Sequence, residues 1–145
     1  MIETKETVMG RFSVELDLAN NEDLYAVRRG LIQPEQVRRA RIRGVVDSGA
    51  ARLVIPASIA QQLGVETVGN AKVRYADGRF AERAIVKDVH LSYGGRESIF
   101  NAIVEPDRDS VLIGAIVLED LDFLVDCIGQ RLVPRDPNQI VSEVE

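Results

Sequence analysis

The stretch RIRGVVDSGAARLVIPASIAQQLGV, residues 41–65, places a carboxylate between two apolar runs. The first run ends at Val45 and Val46, and Asp47 follows at the head of the small-residue sequence Asp-Ser-Gly-Ala. A second apolar run occupies residues 53–55. An aspartate in this position is either a turn residue that bonds its own backbone or a group held for chemistry, because a carboxylate between apolar walls is costly unless it is hydrogen-bonded or shares a proton.

The composition limits the function classes. The chain has 145 residues, 46% of them apolar, which fits one domain with a sizeable core. Its formal net charge of −5 argues against nucleic acid as a partner. One cysteine excludes an intrachain disulfide, and one cysteine with one histidine cannot form a His/Cys-rich zinc site. The N-terminus lacks the apolar core of a signal peptide, and no apolar stretch reaches transmembrane length. We therefore expect a cytoplasmic protein without a membrane partner.

Strand signals dominate the rest of the sequence. Alternating or continuous apolar residues predict strands over 11–18, 24–30, 37–46, 52–56, 97–106 and 109–113. Asp77-Gly78 between alternating segments predicts a hairpin over 71–93, and Gly129-Gln130 turns a last hairpin over 123–134. A change of period predicts one short helix in 56–65, and a second is expected around 116–121. The sequence thus predicts an all-β closed barrel with one or two short helices.

The domain limits follow from the same patterns. Residues 11–134 carry the strand signals and form the predicted domain. Residues 1–10 are charged and are expected to be a flexible N-terminal segment, and residues 135–145 form a polar C-terminal tail.

Three signals occur in a characteristic order. Asp-Ser-Gly-Ala at 47–50 comes first, the Asp77-Gly78 hairpin comes second, and two apolar residues before Gly114 lead into a short helix. This order resembles the retropepsin-like aspartic proteases, whose motif is Asp-Thr/Ser-Gly-Ala followed later by two apolar residues and Gly. The resemblance covers residues 11–134. It implies a retropepsin-like barrel and an aspartic-type endopeptidase, a hydrolase of peptide bonds.

The resemblance also implies roles for individual residues. Asp47 would be the catalytic acid, and Ser48 would brace the two catalytic loops across a dimer interface. Gly49 would lie beside the substrate backbone, with the small Ala50 next to it. Ile113 and Gly114 would pack behind the catalytic loop. The flap that closes over a bound peptide would be formed by Tyr75, Ala76, Asp77 and Gly78.

The chemistry independently favours two chains. Peptide hydrolysis by carboxylates needs one group to protonate the carbonyl and another to activate water, and two acids that share a site divide these roles. This chain offers one candidate loop, and a two-fold homodimer supplies the second copy of Asp47. The expected partners are a second copy of the chain and a peptide or protein substrate, with no metal or organic cofactor.

The sequence also departs from the retroviral pattern. Retroviral enzymes commonly carry an acid two residues past the Gly of the motif and an arginine just after the later Gly, and the two pair. Here those positions hold Ala51 or Arg52 and Ala115. We therefore do not carry retroviral dimer contacts or substrate preference over to this chain.

Two alternatives stay open. A non-catalytic peptide-binding or dimerisation module on the same barrel would bind without cleaving. A hydrolase based on His90 is weaker, since the sequence has no Gly-x-Ser-x-Gly pattern that would place a nucleophile.

Overall fold

A computed structural model describes residues 11–145, so the predicted flexible segment at 1–10 lies outside the described residues. Strands account for most of the regular structure, as the sequence predicts, and three short α-helices interrupt them. A single 3₁₀ turn spans Pro34–Gln36. In chain order the elements are β1 (Arg11–Asn20), α1 (Asn21–Arg28), β2 (Arg39–Asp47), β3 (Leu53–Pro56), α2 (Ala57–Leu63), β4 (Thr67–Arg74), β5 (Phe80–Tyr93), β6 (Arg96–Glu105), β7 (Val111–Ile113), α3 (Ala115–Leu121), β8 (Phe123–Asp126) and β9 (Arg131–Pro134).

Six of the strands close into a barrel. Their order is β1-β2-β7-β3-β6-β5, and β5 returns to pair with β1 through residues 17–20 and 89–92. Strand β4 lies outside this ring and pairs only with β5, so the β4–β5 hairpin projects from the barrel. The predicted closed β-barrel is confirmed.

The apolar runs around Asp47 form the centre of the core. Val46, Leu53 and Ile55 are almost completely buried, and Val111 packs among them from β7. Burial alternates along β2, as expected for a strand with one face on the core. Asp47 is the last residue of this strand, so the buried run fixes where its carboxylate stands.

The prediction of a strand over 24–30 is wrong. Residues 21–28 form helix α1 instead, which makes three short helices rather than one or two. The Asn20 side chain accepts a hydrogen bond from the Asp23 amide at 3.1 Å and caps the helix. Glu22 and Asp23 add negative charge to its first turn, where the helix dipole favours it. These start signals outweigh the short apolar alternation in the sequence.

The other predicted helices are present. Helix α2 ends at Gly64, whose φ of +66° is the left-handed conformation that glycine adopts without strain. Helix α3 follows Gly114 directly.

The C-terminal tail lies against the barrel through one buried arginine. The Arg96 side chain donates to the carbonyls of Leu121, Asp122, Asp136 and Gln139, and its guanidinium stacks over the Phe123 ring. Within residues 11–145, no helix is both long and apolar enough to cross a membrane.

Candidate active site

Asp47 lies at the end of a buried strand and at the start of a tight turn. The Ala50 amide donates to the Asp47 carbonyl at 3.1 Å, and the Gly49 amide donates to the Asp47 side-chain oxygen Oδ1 at 3.0 Å. The turn therefore supplies a backbone donor to the carboxylate, as expected for an aspartate that bonds its own backbone within a turn. The Asp47 side chain is 18% exposed, whereas Ser48 and Gly49 are exposed.

The other oxygen of Asp47 is bound by Arg11. The two residues are register partners in the β1–β2 ladder. Arg11 Nη2 lies 2.7 Å from Asp47 Oδ2 and Nε lies 3.2 Å from the same atom. Both carboxylate oxygens thus have a donor within the chain, one from the turn and one from β1.

Gly114 lies directly behind the turn. The helix that starts after it has no side-chain cap, and its first amides instead donate to the turn: Ala115 N to Ala50 O at 2.8 Å and Ile116 N to Ala51 O at 2.9 Å. A Cβ on Gly114 would lie 2.6 Å from the Arg52 carbonyl oxygen and 2.7 Å from the Ala51 carbonyl carbon. Only glycine allows the helix and the turn to approach this closely.

Main-chain hydrogen bonds join the turn to helix α3 near the positions where the sequence departs from the retroviral pattern. Ala51 and Ala115 have no charged groups, and the side chain of Arg52, the other residue considered for the first position, makes no hydrogen bond within residues 11–145. The departure seen in the sequence therefore leaves the turn anchored to the barrel.

The predicted flap is the tip of the β4–β5 hairpin. The tip, residues 75–78, is closed by Gly78 N to Tyr75 O at 2.9 Å and Tyr75 N to Arg79 O at 2.8 Å. Asp77 accepts from the Arg79 amide at 3.0 Å and from its Nε at 2.9 Å. The amide and then the guanidinium of Arg79 hold the pKa of Asp77 below its ordinary value. Ala76, Asp77 and Gly78 are exposed.

Tyr75 connects this tip to the barrel wall. Its hydroxyl donates to Glu105 Oε2 at 2.6 Å, and Arg83 Nε donates to the other carboxylate oxygen at 3.1 Å. The hydrogen bond to Glu105 raises the pKa of Tyr75, so the phenol is protonated at neutral pH and available as a donor. The Arg79 guanidinium stacks over the Tyr75 ring, 4.7 Å from its centre.

The turn and the flap line the same cavity. This cavity has a volume of ≈ 1030 Å³ and is bordered by Asp47, Gly49 and Ala50 on one side and by residues 75–78 on the other.

 The Asp47 cavity is larger than a second cavity, which is lined by His90 among others and measures ≈ 670 Å³. The apolar floor of the Asp47 cavity is formed by Val54, Ile103 and Leu112. A volume of this size accommodates several residues of an extended peptide.

The remaining candidates lie elsewhere or play a supporting part. Ile113 is buried behind the turn, next to Gly114. His90 lies outside the cavity that contains Asp47, and its Nε2 is 2.6 Å from Glu97 Oε1. The structure therefore gives the His90 alternative no connection to the Asp47 turn.

Three residues of the site were missed by sequence reasoning. Arg11 reaches Asp47 from 36 residues away, and Glu105 and Arg83 form the wall contact of Tyr75. No local motif marks them, since each acts through a partner on another strand. Only the strand register, which the sequence does not specify, brings Arg11 opposite Asp47.

Comparisons with known proteins agree with this geometry. A family model described as aspartyl protease matches residues 36–117, which include the Asp47 turn, the flap tip and Gly114. A search of curated proteins gives no significant match.

Three solved structures are similar to this chain. EIAV protease complexed with the inhibitor HBY-793 is 15% identical, with a TM-score of 0.55 over 92% of this chain and 98% of that chain. A retropepsin-like aspartic protease from Rickettsia conorii is 18% identical, with a TM-score of 0.44 over 86% of this chain and 92% of that chain. The retroviral protease-like domain of Ddi1 from Leishmania major is 16% identical, with a TM-score of 0.44 over 86% of this chain and 95% of that chain. The first of these matches confirms the predicted retropepsin-like fold.

Proposed function

Because this chain belongs to the aspartyl protease family, we propose that it is an aspartic endopeptidase that acts as a homodimer. Two Asp47 carboxylates, one from each chain, would activate a water molecule for attack on a peptide bond. The observation that carries this proposal is the position of Asp47: it borders the ≈ 1030 Å³ cavity that the flap tip also lines.

The other carboxylates of the cavity are poorly suited to be the second catalytic acid. Glu105 is held by the Tyr75 hydroxyl and by Arg83, and Asp77 is held by Arg79. Glu105 lies at the end of β6 and Asp77 lies at the flap tip, so neither belongs to the turn that carries Asp47. A second copy of Asp47 across a two-fold axis supplies the missing group, and the exposed Ser48 and Gly49 are free to face it.

The two Asp47 carboxylates would then take different roles in the reaction. Two carboxylates that share a site do not both ionise, so one holds a proton and the other is a base. The base takes a proton from water, and the acid protonates the carbonyl oxygen of the peptide bond. The Gly49 amide, 3.0 Å from Asp47 Oδ1, fixes the orientation of each carboxylate. This reaction uses no metal ion and no organic cofactor.

The substrate would lie extended between the turn and the flap. An extended peptide adds main-chain hydrogen bonds to exposed backbone, and residues 76–78 at the flap tip are exposed. The apolar floor would receive a side chain next to the cleaved bond.

The ion pair between Arg11 and Asp47 favours a second candidate, a non-catalytic peptide-binding module. In the single chain both oxygens of Asp47 are occupied, which would suit a structural aspartate. This module would bind peptides in the same cavity and leave them intact.

Cleavage by the wild type and by Asp47→Asn separates the two functions. Asn keeps an oxygen for the Gly49 amide, so the fold should survive, but it cannot act as a base. We expect the wild type to cleave a mixed peptide substrate and a statine-type inhibitor to block it, whereas the variant should be inactive. Asp17→Asn is the matched control, because Asp17 also pairs with an arginine on the β1–β2 ladder but lies outside this cavity.

The dimer is tested by varying protein concentration. Near the dissociation constant, activity should rise faster than linearly, and sedimentation should show monomer and dimer together. Full specific activity in a strictly monomeric sample would contradict the two-chain site. Peptide binding without cleavage by the wild type would support the non-catalytic module instead.

A further inference from the structure

The cavity at Asp47 has an excess of positive charge although the chain is acidic. Four arginines line it, Arg11, Arg52, Arg74 and Arg108, against three carboxylates, those of Asp47, Asp77 and Glu105. The whole chain has a formal net charge of −5. The net charge of the side chains that line the cavity is therefore opposite to the net charge of the protein, which points to a function of the cavity itself.

Each of the three carboxylates already has an arginine partner. Asp47 pairs with Arg11 at 2.7 Å, and Asp77 pairs with Arg79 at 2.9 Å. Glu105 pairs with Arg83 at 3.1 Å. The negative charge of the cavity is neutralised by these contacts.

Three arginines of the cavity remain without a carboxylate partner in the part of the chain that the structure describes. Arg52 and Arg74 are exposed and make no side-chain hydrogen bond within residues 11–145. Arg108 donates to the carbonyl and hydroxyl oxygens of Ser110, which are neutral. Its chain neighbours Asp107 and Asp109 do not line the cavity.

We propose that these three arginines select acidic peptides: substrates that carry Asp or Glu within a few residues of the apolar side chain at the cleaved bond. This inference rests on the function proposed above. The guanidiniums of Arg52, Arg74 and Arg108 would bind the substrate carboxylates, since arginine is well suited to paired hydrogen bonds with a carboxylate.

The arrangement of the floor and the arginines defines the substrate further. Val54 is the register partner of both Ile103 and Leu112, so the three apolar side chains lie on adjacent strands. Arg52 precedes Val54 by two residues and lies just before the start of β3. In a two-fold dimer every arginine occurs twice, so acidic residues are expected on both sides of the cleaved bond.

Two matched peptides test the inference. They share an apolar centre and differ only in carrying either Glu or Gln at the flanking positions. We expect the wild type to cleave the Glu peptide with at least about fivefold higher kcat/KM at low ionic strength, since several ion pairs contribute and each is modest. The preference should shrink as salt is added.

A double variant tests whether these arginines cause the preference for the Glu peptide. Arg52→Gln/Arg74→Gln removes two charges from residues without structural hydrogen bonds, and it should lower the preference below about twofold. Arg28→Gln/Arg39→Gln is the control: it makes the same change in net charge at exposed positions outside this cavity and should keep the wild-type preference. Equal cleavage of both peptides by the wild type, or an unchanged preference in the double variant, would overturn the inference.

A measurement of peptide binding distinguishes a failure of this inference from a failure of the proposed function. Fluorescence anisotropy with labelled Glu and Gln peptides reports affinity whether or not they are cleaved. Tighter binding of the Glu peptide without cleavage would support acid selection and overturn the endopeptidase. Cleavage of both peptides at equal rates would leave the endopeptidase intact and overturn acid selection. Competition by a single-stranded oligonucleotide as effective as the Glu peptide would also overturn it, because general anion binding would then explain the charge.

Discussion

The guanidinium of Arg11 and the carboxylate of Asp47 form an ion pair across the first two strands of the barrel, with 2.7 Å between Nη2 and Oδ2. The same oxygen, Oδ2, is the one that the turn leaves without a backbone donor, since Gly49 binds Oδ1. In the proposed mechanism this oxygen would have to contact water or the second carboxylate. Arg11 therefore competes with the catalytic arrangement.

Replacing Arg11 should raise activity. In Arg11→Gln the Asp47 oxygen is released, and we expect cleavage to increase severalfold in kcat/KM. The fold should lose less than about 1 kcal/mol, because the Arg11 side chain is 58% exposed and exposed ion pairs contribute little. Peptide cleavage assays and thermal unfolding measure the two effects.

Arg41→Gln is the matched control for this change. Arg41 pairs with Asp17 at 3.0 Å on the same two strands and lies outside the Asp47 cavity, so its loss should leave cleavage unchanged. A loss of activity in Arg11→Gln alone would show that Arg11 assists the reaction.

Gly114 should tolerate no side chain. In Gly114→Ala the new methyl group would lie within 3 Å of the backbone of Ala51 and Arg52, so backbone atoms rather than a flexible side chain would have to shift. We expect a destabilisation of roughly 1–3 kcal/mol, typical of overpacking, and a loss of cleavage because the Asp47 turn is displaced. Chemical unfolding and peptide cleavage are the measurements.

Gly69→Ala is the control for Gly114→Ala. A Cβ at Gly69 would meet nothing within 4 Å, so stability and activity should stay close to wild type. Equal effects of the two substitutions would contradict the close approach at Gly114.

Local patterns in the sequence predicted most of the barrel. Hydrophobic periodicity and turn chemistry are local properties of a sequence. Neighbouring residues therefore predict the buried run before Asp47, the Asp77-Gly78 hairpin and the glycine at the start of α3. Helix α1 was missed because the four apolar residues at 24–27 resemble a short strand, while its cap at Asn20 carries the stronger signal.

The site was predictable only in part, for the same reason. Asp47, the turn and the flap follow from motifs in the chain. The pairing of Arg11 with Asp47 and of Tyr75 with Glu105 depends on strand register and on barrel closure, which bring together residues 36 and 30 positions apart. The sequence alone does not show which of many arginines will face a given acid.

The hydroxyl of Tyr75 should restrain the flap. Tyr75→Phe removes the 2.6 Å hydrogen bond to Glu105 while Arg83 stays in place. A hydrogen bond to a charged acceptor is worth more than a neutral one, so we expect the amides of residues 76–79 to exchange roughly tenfold faster. Hydrogen exchange followed by mass spectrometry measures this change.

Tyr25→Phe is the control for the flap. Its hydroxyl accepts a hydrogen bond from Arg29 on helix α1, far from the flap in sequence, and its loss should not alter exchange at 76–79. Unchanged exchange in Tyr75→Phe would mean that the flap position does not depend on the contact with Glu105.

Asp122 should make the attachment of the C-terminal tail sensitive to acid. The Val141 amide donates to its carboxylate at 3.0 Å and Arg135 Nε donates at 2.8 Å. These contacts, the Val141 bond foremost, hold the pKa of Asp122 below its ordinary value of 3.8. A lowered pKa means that the unfolded chain binds the proton more readily, so the carboxylate stabilises the fold above pH 3.8, and this contribution is lost as the pH falls through the lowered pKa.

The variant Asp122→Asn isolates this contribution. Asp122 has a φ of +61°, a conformation that asparagine also adopts, so the substitution changes the charge without straining the backbone. We expect the variant to melt below the wild type at neutral pH and the difference in Tm to shrink as the pH falls below about 3.8. Asp120→Asn, at an exposed position of helix α3, should match the wild type throughout. A Tm difference for Asp122→Asn that is constant from neutral to acid pH would show that the carboxylate charge does not hold the tail.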